Sequence, residues 1–578
     1  MRQYLNEYFL VLGKARRKIP ILVAYFLLSS LLDVLGIGLV ASYIPVILGD
    51  TGFLSELFSK LTLIKAFEVE KLYLYLGFLI IFVYLLKAII SFDIQKRIIK
   101  FSLNVEFELR DRLLRAYLRK PYSFFLTENS SNIVNNIGVY ANTFQTSTVS
   151  QSLRLIAESI VVLAIIVLLA FSNPYFTISV VFLIALFFLG YDFFVKDKMI
   201  NAGKTASSRF GNIVKYINQA IFGLREIKIL KKEGYFTKKL QDEVNIVNDA
   251  RFVQDSLKLI PKYGIEFLLV VSTILMAVVM LYYGFDRSLI LTNIAIFVVA
   301  GTRLLSSSNV LISALSTLRS GRFVVSELAK TLMNEVGHQL EIVRVNKKIE
   351  QLFWSNKIEF KNISFKYGQN DTNLFDNLSL TIKKGESIGI VGESGSGKTT
   401  LVNILLNLLD YDDGQVFVDG KNFSNKKDII QNSMAYIPQD IFLLDESIKR
   451  NIAFGVNDDL IDENLMSESL KKARLEKIIS SLPNGIETLV GERGIRFSGG
   501  QQQRLAIARA LYSKREILIL DEATSALDND TEEEIVREIE QLKGKFTLVV
   551  IAHRLSTLKG CHRIISIENG KLIEQNKN

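Results

Sequence analysis

Cysteine is nearly absent. Cys561 is the only one in 578 residues, so no disulfide can close within the chain and no zinc site can be built on thiolates. Histidine is almost as scarce: His338, His553 and His562 leave too little for a histidine-rich metal centre. With 7 prolines in all, long stretches carry no helix breaker. Internal repeats and low-complexity tracts are also missing. What the chain has in excess is apolar side chains. It is 49% hydrophobic, with a mean hydropathy of +0.27, which is too apolar for an ordinary soluble protein, and it is long enough for several domains. The net charge of +10 then reads as basic loops flanking membrane spans, not as a nucleic-acid surface.

Residues 1–18 intersperse Tyr4, Phe9, Val11 and Leu12 with charge and end on Lys14, Arg16, Arg17 and Lys18. They are expected to form an interfacial helix on the membrane surface. A signal peptide is disfavoured, because the apolar run that follows is about 30 residues long and lacks a small-residue cleavage site. That run, Ile19 to Leu48, is the first expected span. Five more follow at Leu72–Phe92, Leu155–Phe171, Tyr175–Val195, Tyr263–Tyr283 and Leu289–Ile312, each long enough to cross about 30 Å of hydrocarbon. Ser172-Asn173-Pro174 is a turn signal that makes the third and fourth spans an antiparallel hairpin. A short loop around Asp286 does the same for the fifth and sixth.

Lys and Arg gather in two long connections. Lys96, Arg97, Lys100, Arg110, Arg112, Arg115, Arg119 and Lys120 lie between spans two and three. Lys204, Arg209, Lys215, Arg225, Lys228, Lys231 and Lys232 lie between spans four and five. The positive-inside rule places both segments and both termini in the cytoplasm of a multi-pass protein of the cell (inner) membrane. Their helical periodicity predicts that they continue the membrane helices into water.

A polar connector, placed at 326–356, separates this membrane region, 1–325, from a second region, 357–578. There short β-rich runs alternate with turns and helices, as in an α/β domain. Gly392-Glu393-Ser394-Gly395-Ser396-Gly397-Lys398-Thr399 follows the apolar strand Ser387–Val391 and opens an apolar helix, with Thr400 next in line. This is the strand–loop–helix setting of a P-loop. Glycines let backbone N–H groups close on phosphate oxygens, the helix N-terminus favours negative charge, Lys398 reaches the β- and γ-phosphates, and the Thr399 hydroxyl meets Mg²⁺. The substrate and cofactor so implied are ATP and Mg²⁺. The apolar strand Ile517–Leu520 ends in Asp521 and Glu522. In a P-loop enzyme Asp521 suits Mg²⁺ binding through water, and Glu522 is placed to accept a proton from attacking water; the bland alternative is a solvated strand end. Ser498, Gly499, Gly500 and Gln501 open another helix, either as a second phosphate contact or as an ordinary N-cap.

The order of P-loop, Ser498-Gly499-Gly500-Gln501 and Ile517-Leu518-Ile519-Leu520-Asp521-Glu522 resembles that of ABC transporter ATPases. Six spans ahead of one such domain resemble the half-transporters of the ABC exporter type. The fold class expected is therefore a membrane α-helical six-span exporter domain followed by an α/β P-loop ABC ATPase domain. The resemblance implies further roles. Tyr367 is the aromatic that stacks on adenine, unless it is simply an exposed turn residue. Gln439 senses Mg²⁺ and the membrane domain, and His553 contacts the γ-phosphate. Ser525–Asp528 form the D-loop, and Thr488–Gly494 touch intracellular loops. Gly223–Lys228 resemble the region of the second coupling helix. Phe497 departs from the Leu usual there but stays apolar. With one P-loop and one Ser498-Gly499-Gly500-Gln501 per chain, the resemblance implies two chains enclosing two ATP molecules, as a homodimer or with a similar half.

The membrane half bears on the substrate through its charges, each costing about 2.5–3.5 kcal/mol at a helix centre. Asp33, Lys87, Lys262, Glu266 and Arg303 lie within or at the edge of spans. Arg154 and Glu158, one helical turn apart, are expected to pair with each other. If Lys87, Lys262 and Arg303 face one cavity, it suits a phosphate or pyrophosphate headgroup. The Asp33, Lys87, Pro261-Lys262 and Arg303 positions also resemble those of bacterial lipid-linked oligosaccharide flippases, which implies ATP-driven flipping of a polyprenyl-pyrophosphate glycan. A general lipid, drug or peptide exporter of the same build stays open, as does an ATP-gated channel.

Overall fold

The computed structural model describes residues 2–47, 69–285, 287–336, 352–367, 373–491, 494–522, 529–552, 558 and 560–575. The chain divides into two compact units. One comprises Met1–Lys120 and Thr127–Ile342; the other comprises Pro121–Leu126 and Val343–Asn578.

The first unit is helical, and among the described residues 6 helices are long and apolar enough to cross a membrane. They exceed the bilayer. The Val69–Leu118 helix runs 50 residues, about 75 Å at 1.5 Å per residue, so only its apolar stretch is needed for the crossing. The Pro174–Phe222 and Glu233–Tyr282 helices, of 49 and 50 residues, likewise extend beyond the hydrocarbon. At the hairpin between spans three and four, Asn173 leaves the helical region (φ −150°, ψ 93°) and accepts a hydrogen bond from the Phe176 N–H at 3.2 Å, with Pro174 as the first helical residue. Asn at the cap and Pro at the first turn are the residues such a start requires.

The Arg2–Leu12 helix differs from expectation. It buries Tyr8, Val11 and Leu12 in a core shared with Val324, Val325 and Leu328, the last three on the Arg322–Val336 helix. Arg112 donates to the carbonyls of Val11 at 2.7 Å and Leu10 at 3.2 Å, closing the helix end with a cation. The face carrying Tyr8, Val11 and Leu12 is thus covered by protein, while Leu5 and Phe9 stay exposed. The basic residues Lys14, Arg16, Arg17 and Lys18 remain exposed.

The second unit holds two sheets. The antiparallel one has the order β2 (Phe375–Lys383), β1 (Lys357–Phe365), β4 (Asp413–Val418), β5 (Lys421–Asn422). The six-stranded one has the order β10 (Lys571–Gln575), β9 (Arg563–Glu568), β3 (Ser387–Gly392), β8 (Thr547–Ile551), β7 (Ile517–Asp521), β6 (Met434–Ile437), parallel from β9 to β6. β7 and β8 are buried along their whole length, as strands covered on both faces must be, and this explains their unbroken Ile/Leu/Val runs. The register pairs Asp521 with Ile551 and Ile390 with Ile551. The carboxyl ends of β3, β8 and β7 therefore lie along one sheet edge, the edge where open α/β sheets place their ligands.

Candidate functional site

β3 runs into the loop at Gly392. Gly395 takes φ 84° and Gly397 φ 100°, backbone that favours glycine; a Cβ at Gly397 would also come within 2.9 Å of the Phe375 ring. The Lys398–Leu405 helix starts at once. Lys398 is buried and curls back over the loop, its ammonium donating to the carbonyls of Gly392 at 2.9 Å and Glu393 at 3.0 Å. The Ser396 hydroxyl is buried with no hydrogen-bond partner. A loop with two left-handed glycines, an inward lysine and an orphaned hydroxyl fits a bound polyphosphate. Glu393, Ser394 and Thr399 are exposed, whereas Thr400 is buried. Thr400 Oγ1 and the Tyr367 hydroxyl share a hydrogen bond of 2.9 Å, so Tyr367 is tied to the first turn of this helix. Its ring meets Phe365 edge-on at 4.9 Å.

Asp521, at the end of β7, is buried. Burial pushes its carboxyl above the ordinary aspartate range; the Tyr436 hydrogen bond and the Lys398 ammonium oppose that push, and the Glu522 charge adds to it. The Tyr436 hydroxyl donates to Asp521 Oδ2 at 3.0 Å, and burial together with the Asp521 charge pushes that phenol strongly upward. Glu522 has φ 49°, a left-handed backbone costly for a side-chain-bearing residue. Its N–H donates to the Ile551 carbonyl at 2.9 Å, which fixes the bend that turns the chain off the strand. Gln439 is exposed, two residues beyond the end of β6. Among the described residues no three His, Cys, Asp or Glu side chains gather as a metal site. Mg²⁺ needs only one or two protein oxygens, and the buried Asp521 carboxylate at the end of β7 is such an oxygen.

Ser498 caps the Gly499–Tyr512 helix in a reciprocal capping box. Its Oγ accepts from the Gln501 N–H at 3.4 Å, and its own N–H donates to Gln501 Oε1 at 3.0 Å. Each side chain accepts from the other residue's backbone N–H, so the N-cap reading holds for this chain, and a role toward a second nucleotide is compatible with it. Phe497 is buried in the neighbouring core. His553, the segment Ser525–Asp528, Glu492 and Arg493 lie outside the described residues. Tyr436 is a functional neighbour that the sequence reading missed. The only signal was a tyrosine on an apolar strand next to the one ending in Asp521.

In the membrane unit Lys87 and Arg303 do come together, and they do so on a carboxylate. Asp33 is 1% exposed. Its Oδ1 lies 2.5 Å from the Lys87 ammonium and accepts from Arg303 Nε at 3.3 Å, while Oδ2 accepts from an Arg303 terminal nitrogen at 3.1 Å. Glu158 faces the same guanidinium at 3.8 Å; it turns toward span six, and Arg154 is exposed instead of pairing with it. The Lys87 ammonium also lies 5.1 Å from the Tyr84 ring. Lys262 stands apart from this set, exposed, its ammonium 5.5 Å from the Tyr263 ring. The expected group of three cations is therefore two cations set against two carboxylates.

A family model described as the ABC transporter transmembrane region matches residues 20–308, and one described as ABC transporter matches 375–525. The chain is 27% identical over 479 residues to an ATP-dependent lipid A-core flippase of Ralstonia nicotianae, covering 82% of this chain and 79% of that protein. It is 29% identical over 486 residues to the protein of that name in Burkholderia pseudomallei (82% and 78%). A shorter match, 43% over 220 residues (38% and 37%), is to the one in Burkholderia orbicola. The solved structure of a bacterial Atm1-family ABC exporter with ATP bound superposes with a TM-score of 0.78 at 21% identity, covering 98% of this chain and 95% of the other.

Proposed function

The chain belongs to the ABC transporter family, as an exporter half-transporter that couples ATP hydrolysis to transport across a membrane, and from that premise we propose that it flips an anionic lipid-linked oligosaccharide. The observation that carries this reading is the convergence of Lys87 and Arg303 inside the membrane unit. Charge within a span is costly, and the two cations gathered on Asp33 carry donors that also match the oxyanions of a phosphorylated headgroup. Relatives named ATP-dependent lipid A-core flippases support a glycolipid cargo; the second reading is a general lipid, drug or peptide exporter of the same build.

The nucleotide site does its work with few groups. The backbone of Gly392, Glu393, Ser394, Gly395, Ser396 and Gly397 cradles the phosphates of ATP, and Lys398 exchanges its two carbonyl partners for phosphate oxygens. Thr399 and Gln439 would hold Mg²⁺ directly and Asp521 through water, and the ion would supply charge neutralisation for the transferring phosphate. Glu522 orients water and takes its proton, His553 contacts the γ-phosphate, and Tyr367 stacks on adenine. Ser498, Gly499, Gly500 and Gln501 cap the nucleotide of a second chain in a homodimer, at a helix N-terminus suited to an anion. The basic connections support a reading in which both termini lie on the cytoplasmic side of the inner membrane.

The test is stimulation of ATPase activity in proteoliposomes by a panel of glycosyl diphosphoryl polyprenols, drugs and peptides. Stimulation by the diphosphoryl lipids is expected, reduced roughly tenfold in apparent affinity by Lys87→Gln with Arg303→Gln. Equal stimulation of the unmodified and doubly substituted proteins favours the second reading.

A further inference from the structure

The cluster around Lys87 and Arg303 carries more than a cation count. Its four charged members come from four spans: Asp33 from the first, Lys87 from the second, Glu158 from the third and Arg303 from the sixth. Two cations meet two carboxylates, so the set is neutral as built. Within it the exposure is uneven. Asp33 is sealed at 1%, while the Lys87 and Arg303 side chains keep 22% and 27%. Asp33 thus sits behind the cations and occupies with both its oxygens the donors that an incoming oxyanion needs. Carboxylate and phosphate compete for a guanidinium through the same forked geometry.

We propose that Asp33 is an internal competitor for Lys87 and Arg303 that makes the membrane site selective for a doubly charged diphosphate headgroup over a singly charged phosphodiester. The inference rests on the reading that this cluster meets an anionic lipid. A singly charged headgroup that displaces Asp33 trades one anion for another and leaves a buried carboxylate unpaired, which is unfavourable. A diphosphate brings a second charge and a second set of oxygens, so it engages Lys87 and Arg303 together and offsets the loss. The discrimination comes from a built-in repulsive element as much as from attraction. Displacement also unties spans one, two and six at the point where Asp33 joins them, which links headgroup arrival to helix movement.

The experiment is ATPase stimulation in phosphatidylcholine vesicles titrated with a glycosyl diphosphoryl polyprenol or with the glycosyl monophosphoryl polyprenol of the same chain and sugar. The unmodified protein is expected to half-saturate at a concentration of the diphosphate roughly tenfold below that of the monophosphate. Asp33→Asn keeps the shape and removes the competing charge; it is expected to bring the two half-saturation values to within about threefold, mainly by improving the monophosphate. A ratio near one in the unmodified protein overturns the proposal without need of any variant. So does an Asp33→Asn protein that assembles and keeps the original ratio. Arg303→Gln separates the two levels. If it responds to both lipids as the unmodified protein does, the anionic-lipid reading itself fails; if it loses the response while Asp33→Asn leaves the ratio unchanged, only the role of Asp33 fails.

Discussion

Single residues decide the chemistry, and some of them were legible while others were not. The P-loop is a local pattern. Eight adjacent residues fix the loop, and the strand and helix beside it are read from the same stretch, so the turn at Gly395 and Gly397 and the helix from Lys398 follow from spacing alone. Asp33 with Arg303 is a pairing of residues 270 apart, and Asp521 with Tyr436 one of residues 85 apart; periodicity carries no information on either. Glu158 shows the error this produces. Its turn-neighbour Arg154 looked like its partner, yet the carboxylate faces Arg303 across a helix interface. Tyr436 yields a prediction at this scale. Its hydroxyl donates to a buried carboxylate, so Tyr436→Phe leaves Asp521 short of a donor that holds it in place. As a positioning residue, Tyr436 is expected to affect metal before nucleotide. Mn²⁺ affinity in the presence of ATP, followed by electron paramagnetic resonance, should fall on the order of tenfold, with metal-free ATP binding unchanged. Unaltered Mn²⁺ binding would show that the hydrogen bond is only structural.

Elements were legible where one physical signal dominated. The apolar runs located the spans, and the absence of proline from the stretches beyond them explains uninterrupted helices of 50 and 49 residues. Pro261 is the instructive exception, since it lies inside the Glu233–Tyr282 helix, which continues through it; tertiary packing of a long helix tolerates what an isolated one would not. For the Arg2–Leu12 helix, amphipathicity tells that a face is covered and not by what. Val324, Val325 and Leu328, more than three hundred residues on, cover it here. The Arg112 guanidinium fastens its end with two hydrogen bonds. Hydrogen bonds to a charged group contribute about 1.5–3 kcal/mol, so Arg112→Ala should speed amide exchange across residues 2–12 by roughly tenfold or more. Exchange there as slow as in the unmodified protein would mean that the apolar face alone holds the helix.

At the scale of the whole molecule, a membrane unit with a charge-balanced cluster shares a chain with a unit whose sheet edge gathers the P-loop and Asp521. Each chain carries one P-loop and one Ser498-Gly499-Gly500-Gln501 segment, so the proposed sandwich of two ATP molecules takes a second chain to complete each nucleotide site. The account's central claim is that ATP turnover drives an anionic glycolipid from one leaflet to the other. It is tested most directly by reconstituting the protein in vesicles with a fluorescent glycosyl diphosphoryl polyprenol and following, with a membrane-impermeant quencher, how much label stays accessible. The account predicts that MgATP redistributes the label with the unmodified protein and fails to do so with Glu522→Gln, which keeps ATP binding but lacks the proton acceptor. Hydrolysis by the unmodified protein with no redistribution of the lipid, or redistribution by Glu522→Gln at the unmodified rate, would contradict it.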